Sequence, residues 1–216
     1  MKEIKQTFDK LVNDRKQLEN IWRDAYLYTY PHKGQYFVSN STDGTLNAVN
    51  AQNYQSKIFD STAADSVSLL ASSIMSGLTP SANQWFQFRL QEIKYDDLSY
   101  AARDWINQSA KTLFNLIHSA SNYNQVAIES LEELAISGMF AMYITKEPNE
   151  PFIFELWPLD SVYVQENHKT QVIDTIYRLH SFTASEAVSS FGLDNLPDSI
   201  KSNYTNNPND TKKFVS

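Results

Sequence analysis

The sequence predicts an α+β fold, in which a helical part up to residue 137 is followed by a small antiparallel β meander. Apolar residues recur every three or four positions in the first part, whereas they alternate with polar residues beyond Pro148. Ser137 and Gly138 mark the change between the two patterns. We therefore expect a mainly helical region at 1–137, a β region at 138–182, and a short helix with a loose tail at 183–216.

The composition is that of a folded protein. Its 216 residues are 42% apolar and 13% aromatic, which suffices for the core of one large domain or two small ones. The absence of cysteine excludes disulfides, thiolate nucleophiles and cysteine-ligated metals, and it fits a reducing compartment. No run of eighteen apolar residues occurs, and the N-terminal residues lack the apolar segment of a secretion signal, so a cytosolic origin is expected.

The first helix is predicted from about residue 3 to Tyr30, where Pro31 ends it. Its apolar seam has alternating spacings of four and three and consists of Ile4, Phe8, Leu11, Arg15, Leu18, Trp22 and Ala25. Two interpretations remain open. Either the seam packs on its own domain, or it also meets a neighbouring subunit, where Arg15 would seek a carboxylate across the interface.

The end of the first helix leads into a polar stretch. Tyr26, Tyr28 and Tyr30 cannot all share one helix face, so at least one of them should be exposed or meet a partner. Residues 32–55 read as a long loop, with a short hairpin at 36–38. Such a loop either contacts a partner or is only a surface loop.

Residues 60–90 combine a helix rich in small residues, a break and an aromatic segment. Ser61 or Thr62 can cap the helix, and Gly77 and Pro80 stop it. The face predicted to be buried consists of Ala63, Val67, Leu70, Ala71, Ile74 and Leu78.

The aromatic segment after this break reads as a strand. Phe86, Phe88 and Leu90 alternate with polar residues, which is typical of a half-buried strand. Trp85 precedes the strand and is expected in the core.

Two further helices are predicted before the β region. Asp96 or Asp97 can cap the first, which runs to about Ser119, and the second covers 124–137. The expected apolar side of the first is Ala101, Ala102, Trp105, Ile106, Leu113, Leu116 and Ile117. The second should bury Val126, Ala127, Leu131, Leu134 and Ala135 and turn Glu129, Glu132 and Glu133 towards water.

The β region and the C-terminal part follow from period-two patterns and turn residues. Strands are expected at 139–145, 151–159, 161–166 and 170–180. A short helix capped by Thr183 or Ser185 should end at Gly192. A proline-started turn and a loose polar segment at 202–210 should follow.

No pattern in the chain indicates catalysis, a cofactor or a metal, so no site residue is predicted. His32, His118, His168 and His180 lack metal-ligand spacing, and the phosphate-binding and nucleophile-elbow glycine motifs are absent. Glu155 and Asp160 could form a carboxylate pair, but such a pair is usually a solvated edge.

Charge argues against tight binding of nucleic acid. The formal net charge is −7, and a basic patch is needed to displace counterions from phosphate. Lys212 and Lys213 form the nearest basic cluster, either as a solvated tail or as a phosphate site. A stacking platform for single strands would need basic residues between the aromatics, yet only Arg89 lies near Trp85 and none lies near Trp157.

The order of these features resembles the head-to-tail connecting proteins, or portal proteins, of short-tailed bacteriophages. In that family a helix of the type LAxxxxxxLxP precedes a Trp-Phe pair, and the matching residues are Leu70, Ala71, Leu78, Pro80, Trp85 and Phe86. Upstream, the pattern of the family's opening helix is matched by Arg15, Trp22, Tyr26, Tyr30 and Pro31. Downstream matches are Trp157, Pro158, Leu159, Tyr163, Val164, Arg178, Phe191, Gly192, Leu196 and Pro197. The resemblance extends over nearly all of the chain.

The resemblance implies a structural subunit of a ring, commonly of twelve copies, at one vertex of the capsid. Implied partners are further copies of the chain, the major capsid protein, the scaffolding protein, the terminase large subunit and tail adaptor proteins. Double-stranded DNA would pass through the channel without specific binding, and no membrane, cofactor or catalytic residue is implied. The expected location is the virion, with assembly in the host cytoplasm.

Family members are substantially longer than this chain, so it resembles an N-terminal portion of a portal protein. Stem helices, the channel lining and the clip that meets the motor would lie in the later part. Two other classes stay open. A non-ring interaction module would be monomeric, and an enzyme would bring a histidine and a carboxylate together in a pocket.

Overall fold

The computed structural model describes residues 2–34, 58–91, 93–146, 152–167, 169–207 and 211–215. The helices are α1 (Lys2–Thr29), α2 (Pro31–Gly34), α3 (Thr62–Leu78), α4 (Tyr100–Ser119), α5 (Tyr123–Ser137), α6 (Ala184–Phe191) and α7 (Asp198–Asn206). The strands are β1 (Ala141–Thr145), β2 (Ile153–Trp157), β3 (Val162–Glu166), β4 (Ile173–Thr183) and β5 (Thr211–Val215). The α+β class is confirmed, whereas the hairpin expected at 36–38 lies outside the described residues.

The chain forms two compact units. We call Gln17–Pro158 the helical unit, and Met1–Lys16 together with Leu159–Ser216 the sheet unit. Helix α1 therefore contributes its first half to the sheet unit and its second half to the helical unit. The boundaries expected from the sequence were placed where helices give way to strands. They stay a prediction.

The core of the helical unit lies where the second half of α1, α3, α5 and β2 meet. Trp22 is only 4% exposed, and its indole Nε1 donates to the carbonyl of Ser137 at 2.9 Å. Buried apolar residues of this unit are Trp22, Tyr26, Leu27, Ala71, Ile106, Ala110, Val126, Ala127 and Phe154. Tyr28 is exposed while Tyr26 is buried, which confirms that these tyrosines do not share one face.

The sheet unit is built on the antiparallel order β3-β4-β5. Tyr163 and Tyr177 are paired across β3 and β4, and the ring of Phe8 on α1 packs edge-on against both. Arg15 lies over the Tyr163 ring, with its guanidinium carbon 3.6 Å from the ring centroid. A second cluster consists of Ala184, Ala187, Leu196 and Ile200, with Phe182 and Val188 packed against it.

Helix α6 confirms the predicted cap. The side chain of Thr183 accepts from the backbone N–H of Glu186, and Glu186 accepts from the N–H of Thr183 in return. These hydrogen bonds to Thr183 hold the pKa of Glu186 below its ordinary value. Gly192 ends the helix as expected.

The C-terminal part contains more regular structure than the sequence suggested. A turn and a loose segment were expected at 197–210, but α7 covers Asp198–Asn206. Strand β5 then pairs with β4, from Leu179 opposite Val215 to Thr183 opposite Thr211. Neither α7 nor β5 has a strong local pattern. Burial of Ile200 stabilises α7, and pairing with the edge of β4 stabilises β5. The strands β1 and β2 form a separate two-stranded sheet in the helical unit.

The segment after α3 corrects the strand prediction. Residues 84–90 form no regular element and belong to neither sheet, and Trp85 is 40% exposed rather than in the core. Without a partner strand, an alternating sequence cannot form ladder hydrogen bonds. The predicted start of α4 was also too early, because Ser99 is the N-cap and accepts from the N–H of Ala102 at 3.3 Å. Asp96 and Asp97 lie in a single 3₁₀ turn before it.

Three predicted helix faces need correction. On α3, which has Ser61 at its N-cap, Ala71 is buried while Leu70 and Leu78 are exposed. Trp105 on α4 is 71% exposed, although its spacing matched the apolar side. Glu133 on α5 is 5% exposed, although it was expected to face water. Helix spacing defines which residues share a face but does not define which face the fold covers.

Candidate interaction surface

Among the described residues, no cluster of three histidine, aspartate or glutamate side chains could hold a metal ion. His118 is the histidine whose side chain is described within the helical unit, and it packs among aromatic rings. His168 lies outside the described residues, and nothing is described of the His32 and His180 side chains. None of the helices in the described part combines the length and apolar character that crossing a bilayer requires.

The one carboxylate pair considered from the sequence is divided between the two units. Glu155 of the helical unit accepts a hydrogen bond from Trp157 Nε1 at 3.2 Å. In the sheet unit, the backbone carbonyl of Asp160 accepts from Arg15 at 2.9 Å. Both residues therefore make local structural contacts.

An aromatic cluster centred on His118 fixes the segment 84–90 against α4 and α5. Trp85 Nε1 donates to His118 Nε2 at 3.0 Å, and with Nε2 as the acceptor, Nδ1 is the ring nitrogen that donates to Asn124 Oδ1 at 2.7 Å. Phe114 and Tyr123 pack against the same imidazole, with centroids 4.5 Å and 5.3 Å away. These contacts fix the position of residues 84–90.

A groove runs along the continuation of this segment and has a volume of about 870 Å³. Its lining consists of Gln87, Phe88, Arg89, Leu90, Gln91, Ile93, Lys94, Tyr95, Asp96, Leu98, Ile106 and Asn107. Arg103 fixes one wall, because its guanidinium donates to the carbonyls of Leu98 and Asp96 at 2.9 and 3.1 Å. Asn107 Nδ2 donates to the Tyr95 hydroxyl at 2.9 Å. We call this concave surface the aromatic groove.

Helix α3 also carries large exposed apolar residues, on more than one of its sides. Leu69 and Leu78 are 70% and 67% exposed, and Leu70 is exposed as well. Ser72, Ser73 and Ser76 are also exposed on this helix. We call the exposed side that carries Leu69, Ser72, Ser73 and Ser76 the α3 outer face. The sequence gave no clear signal for this exposure, because adjacent helix positions such as 69 and 70 can share one buried stripe.

Polar contacts in the helical unit join α2 and the residue that follows α1 to α3 and α5. Lys33 Nζ donates to the buried Glu133 carboxylate at 3.0 Å, which joins α2 to α5. The Tyr30 hydroxyl lies 3.3 Å from Ser68 Oγ, which donates to Glu132 at 3.2 Å. The sequence gave no signal for the Lys33 pair, since its partner is a hundred residues away. Such hydrogen-bonded interior contacts fix the relative positions of the helices.

Tyr26 belongs to the same interior. It is 1% exposed, and burial, followed by the nearby Glu133 charge, raises the pKa of Tyr26 well above its ordinary value. A hydrogen bond with the Ser137 side chain acts in the opposite direction and is the smaller effect. The phenol is therefore neutral at physiological pH.

The helical unit thus combines a hydrogen-bonded interior with large exposed apolar side chains. Exposed aromatic and aliphatic residues that form extended patches are typical of surfaces that bind other proteins. The fold is α+β, and its exposed apolar side chains are suited to contact with another protein surface. Binding of a partner would bury the apolar area of these exposed side chains.

The chain belongs to a family described as bacteriophage head to tail connecting protein, whose model matches residues 1–216. The portal protein of Salmonella phage epsilon15 is 26% identical over 203 residues, which are 94% of this chain and 34% of that protein. A probable portal protein of Bordetella phage BPP-1 is 21% identical over 194 residues, which are 89% of this chain and 33% of that protein. The family resemblance predicted from the sequence is confirmed, and the chain spans about a third of the length of these relatives.

Proposed function

We propose that this chain is an N-terminal portion of a portal subunit, which assembles into a closed ring at one vertex of a phage capsid. The observation that supports this most strongly is the family match over residues 1–216. In a closed ring, each subunit contacts its two neighbours through two different faces. The aromatic groove and the α3 outer face are two different surfaces of one unit that such contacts could use.

The proposed role is structural. The ring, of about twelve copies by resemblance to the family, would provide the channel through which DNA enters and leaves. It would bind the major capsid protein and scaffolding protein during head assembly, then the terminase large subunit, and later the tail adaptor proteins. ATP hydrolysis would belong to the terminase, and the location would be the virion after assembly in the host cytoplasm.

The mass of the assembled particle tests the proposed ring. Light scattering at near-physiological salt, combined with particle imaging, should give a closed ring whose mass is a whole multiple of the subunit mass. A clean monomer over the accessible concentration range would contradict the ring and would favour a non-ring interaction module. The control is the same measurement over a range of chain concentrations, because a closed ring keeps one mass whereas non-specific aggregates grow with concentration.

A further inference from the structure

Residues 86–90 carry the alternation of a β-strand but have no partner strand in the described part of the chain. Phe86, Phe88 and Leu90 alternate with polar residues. The rings of Phe86 and Phe88 lie close together, with centroids 6.0 Å apart, as side chains two residues apart do on one side of a strand. The sequence thus favours a strand at a place where the described fold provides nothing to pair with it.

The backbone of this segment is open to a partner. Within the residues that the structure describes, the N–H and C=O groups of residues 87–91 neither donate nor accept a hydrogen bond. The same residues are exposed, with Phe88 and Leu90 at 41% and 50%. A row of unpaired backbone groups is the feature through which an edge strand pairs with another chain.

Contacts on both sides of the segment hold it in place. Before it, Trp85 Nε1 donates to His118 Nε2 at 3.0 Å. Beyond it, the Tyr95 hydroxyl accepts from Asn107 Nδ2 at 2.9 Å. A segment that is already ordered loses less conformational entropy on binding than a mobile one, so these contacts favour the binding of a partner.

We propose that residues 86–90 bind an extended segment of a partner protein by β-strand addition along the aromatic groove, and that this partner strand alternates apolar and acidic side chains. Main-chain hydrogen bonds supply the affinity in this mode of binding, and alternate side chains supply the specificity. The apolar side chains pack beside Phe88 and Leu90, which line the groove. The inference goes beyond the proposed ring and does not depend on it, since the helical unit of one chain carries the whole site.

The charge of Arg89 defines the chemistry of the partner strand. Arg89 is the one charged side chain in residues 86–91, and no carboxylate of the described residues pairs with it. Lys94 and Asp96, the other charged residues of the groove lining, have opposite signs, and Glu92 lies outside the described residues. A carboxylate opposite Arg89 stabilises strand pairing and leaves no covered guanidinium without a counter-charge. A basic side chain there would place like charges together.

Synthetic peptides test this contact on the unaltered chain. The acidic peptide is an N-acetylated, fluorescein-labelled octapeptide in which valine alternates with glutamate, and in the basic peptide lysine replaces glutamate. Fluorescence anisotropy should show that the acidic peptide binds at least about tenfold more tightly than the basic one. General attraction to a chain with a formal charge of −7 would produce the opposite order. No binding of the acidic peptide, or equal binding of both, would overturn the inference.

Methylation of the peptide backbone separates strand pairing from side-chain contact. The N–H groups of alternate residues point to the same edge of a strand, so N-methylation of every valine, or of every glutamate, removes donors from one edge only. One of these two peptides should lose at least about tenfold in affinity while the other retains it. Equal affinities of the two would contradict strand addition.

Amide hydrogen exchange locates the site. In the complex with the unmethylated acidic peptide, exchange at the amides of residues 87–91 should slow, because these groups gain hydrogen-bond partners. The basic peptide at the same concentration is the control. Protection confined to other residues would overturn the inference.

A charge reversal gives an independent readout. Arg89→Glu should reverse the preference, so that the basic peptide binds more tightly than the acidic one. Lys111→Glu is the matched control, since Lys111 is an exposed cation of the same unit outside the groove lining, and it should keep the preference for the acidic peptide. Thermal unfolding checks that both variants are folded. An unchanged preference in Arg89→Glu would contradict the proposed pairing, whereas the particle mass tests the ring separately.

Discussion

Two tryptophans on helices of the helical unit occupy opposite environments. Trp22 is buried and donates a hydrogen bond to the Ser137 carbonyl, whereas Trp105 projects into solvent with 71% of its surface exposed. The free energy of unfolding that is lost when a tryptophan is replaced by alanine depends on the contacts that its side chain makes in the folded state. Trp85 is intermediate, because it is partly exposed but bonded to His118.

Replacing Trp22 or Trp105 by alanine should have different effects on the free energy of unfolding. Trp22→Ala is expected to lower the free energy of unfolding by about 3–5 kcal/mol, as for other buried aromatic residues. Trp105→Ala should change it by less than about 0.5 kcal/mol, as at other exposed positions. Urea unfolding measures both. A large loss for Trp105→Ala in the monomer would show that this side chain is covered, contrary to the structure.

The raised pKa of the buried Tyr26 predicts that the stability of the chain falls at alkaline pH. Its pKa is raised in the folded state, so the folded chain keeps the phenolic proton while the unfolded chain releases it near its ordinary pKa of about 10. The contribution is therefore fully present below pH 10 and is lost as the pH rises from there through the folded-state pKa. Urea midpoints measured across this range should fall with pH.

Tyr26→Phe provides the comparison for that experiment. It removes the ionisable hydroxyl and keeps the buried ring, so its stability should decline less steeply above pH 10 than that of the parent chain. The other tyrosines are common to both proteins and cancel in the difference. Parallel curves for the two proteins would contradict a neutral, buried Tyr26.

At the scale of elements, Arg15 joins α1 to the start of β3. Its guanidinium donates to the backbone carbonyls of Leu159, Asp160 and Val162 and lies over the ring of Tyr163. These contacts are within one chain, which favours the interpretation that the seam of α1 packs on its own unit at this position. A single side chain thus satisfies three carbonyls of the turn that precedes the sheet.

We expect Arg15→Met to destabilise the chain by about 2–4 kcal/mol, because charged hydrogen bonds are lost and the turn carbonyls lose their donor. Arg23→Met is the matched control on the same helix. Arg23 contacts the exposed Asp24 at 3.4 Å, and such surface pairs contribute less than about 1 kcal/mol. Equal losses in a urea titration of the two variants would refute the role assigned to Arg15.

Elements also differ in how far local patterns define them. Helix α6 follows from a capping box and a closing glycine within ten residues, so the sequence was sufficient to locate it. Helix α3 was located correctly, but its covered face was not, since leucines occur on both of its sides. Strand β5 could not be located, because its pairing depends on the distant edge of β4.

At the scale of the whole molecule, the net negative charge predicts weak affinity for DNA. With a formal charge of −7, it should not retard a double-stranded DNA fragment at physiological salt and micromolar concentration, where non-specific binders typically have dissociation constants of about 10⁻⁴–10⁻⁶ M. Electrophoresis with a basic DNA-binding protein as positive control tests this. Salt-sensitive retardation that is lost in Lys212→Ala/Lys213→Ala would contradict passage of DNA without binding.

The sequence by itself determined the α+β class, the positions of most helices, the absence of cysteine chemistry and the family. These properties depend on local periodicity, on capping residues and breakers, and on composition, all of which are written along the chain. Only the tertiary structure decided that Glu133 is buried with Lys33, that Trp105 and Leu69 are exposed, and that β5 completes a sheet. The physical reason is that burial and strand pairing depend on which distant segments meet, and a local pattern carries no information on its partner.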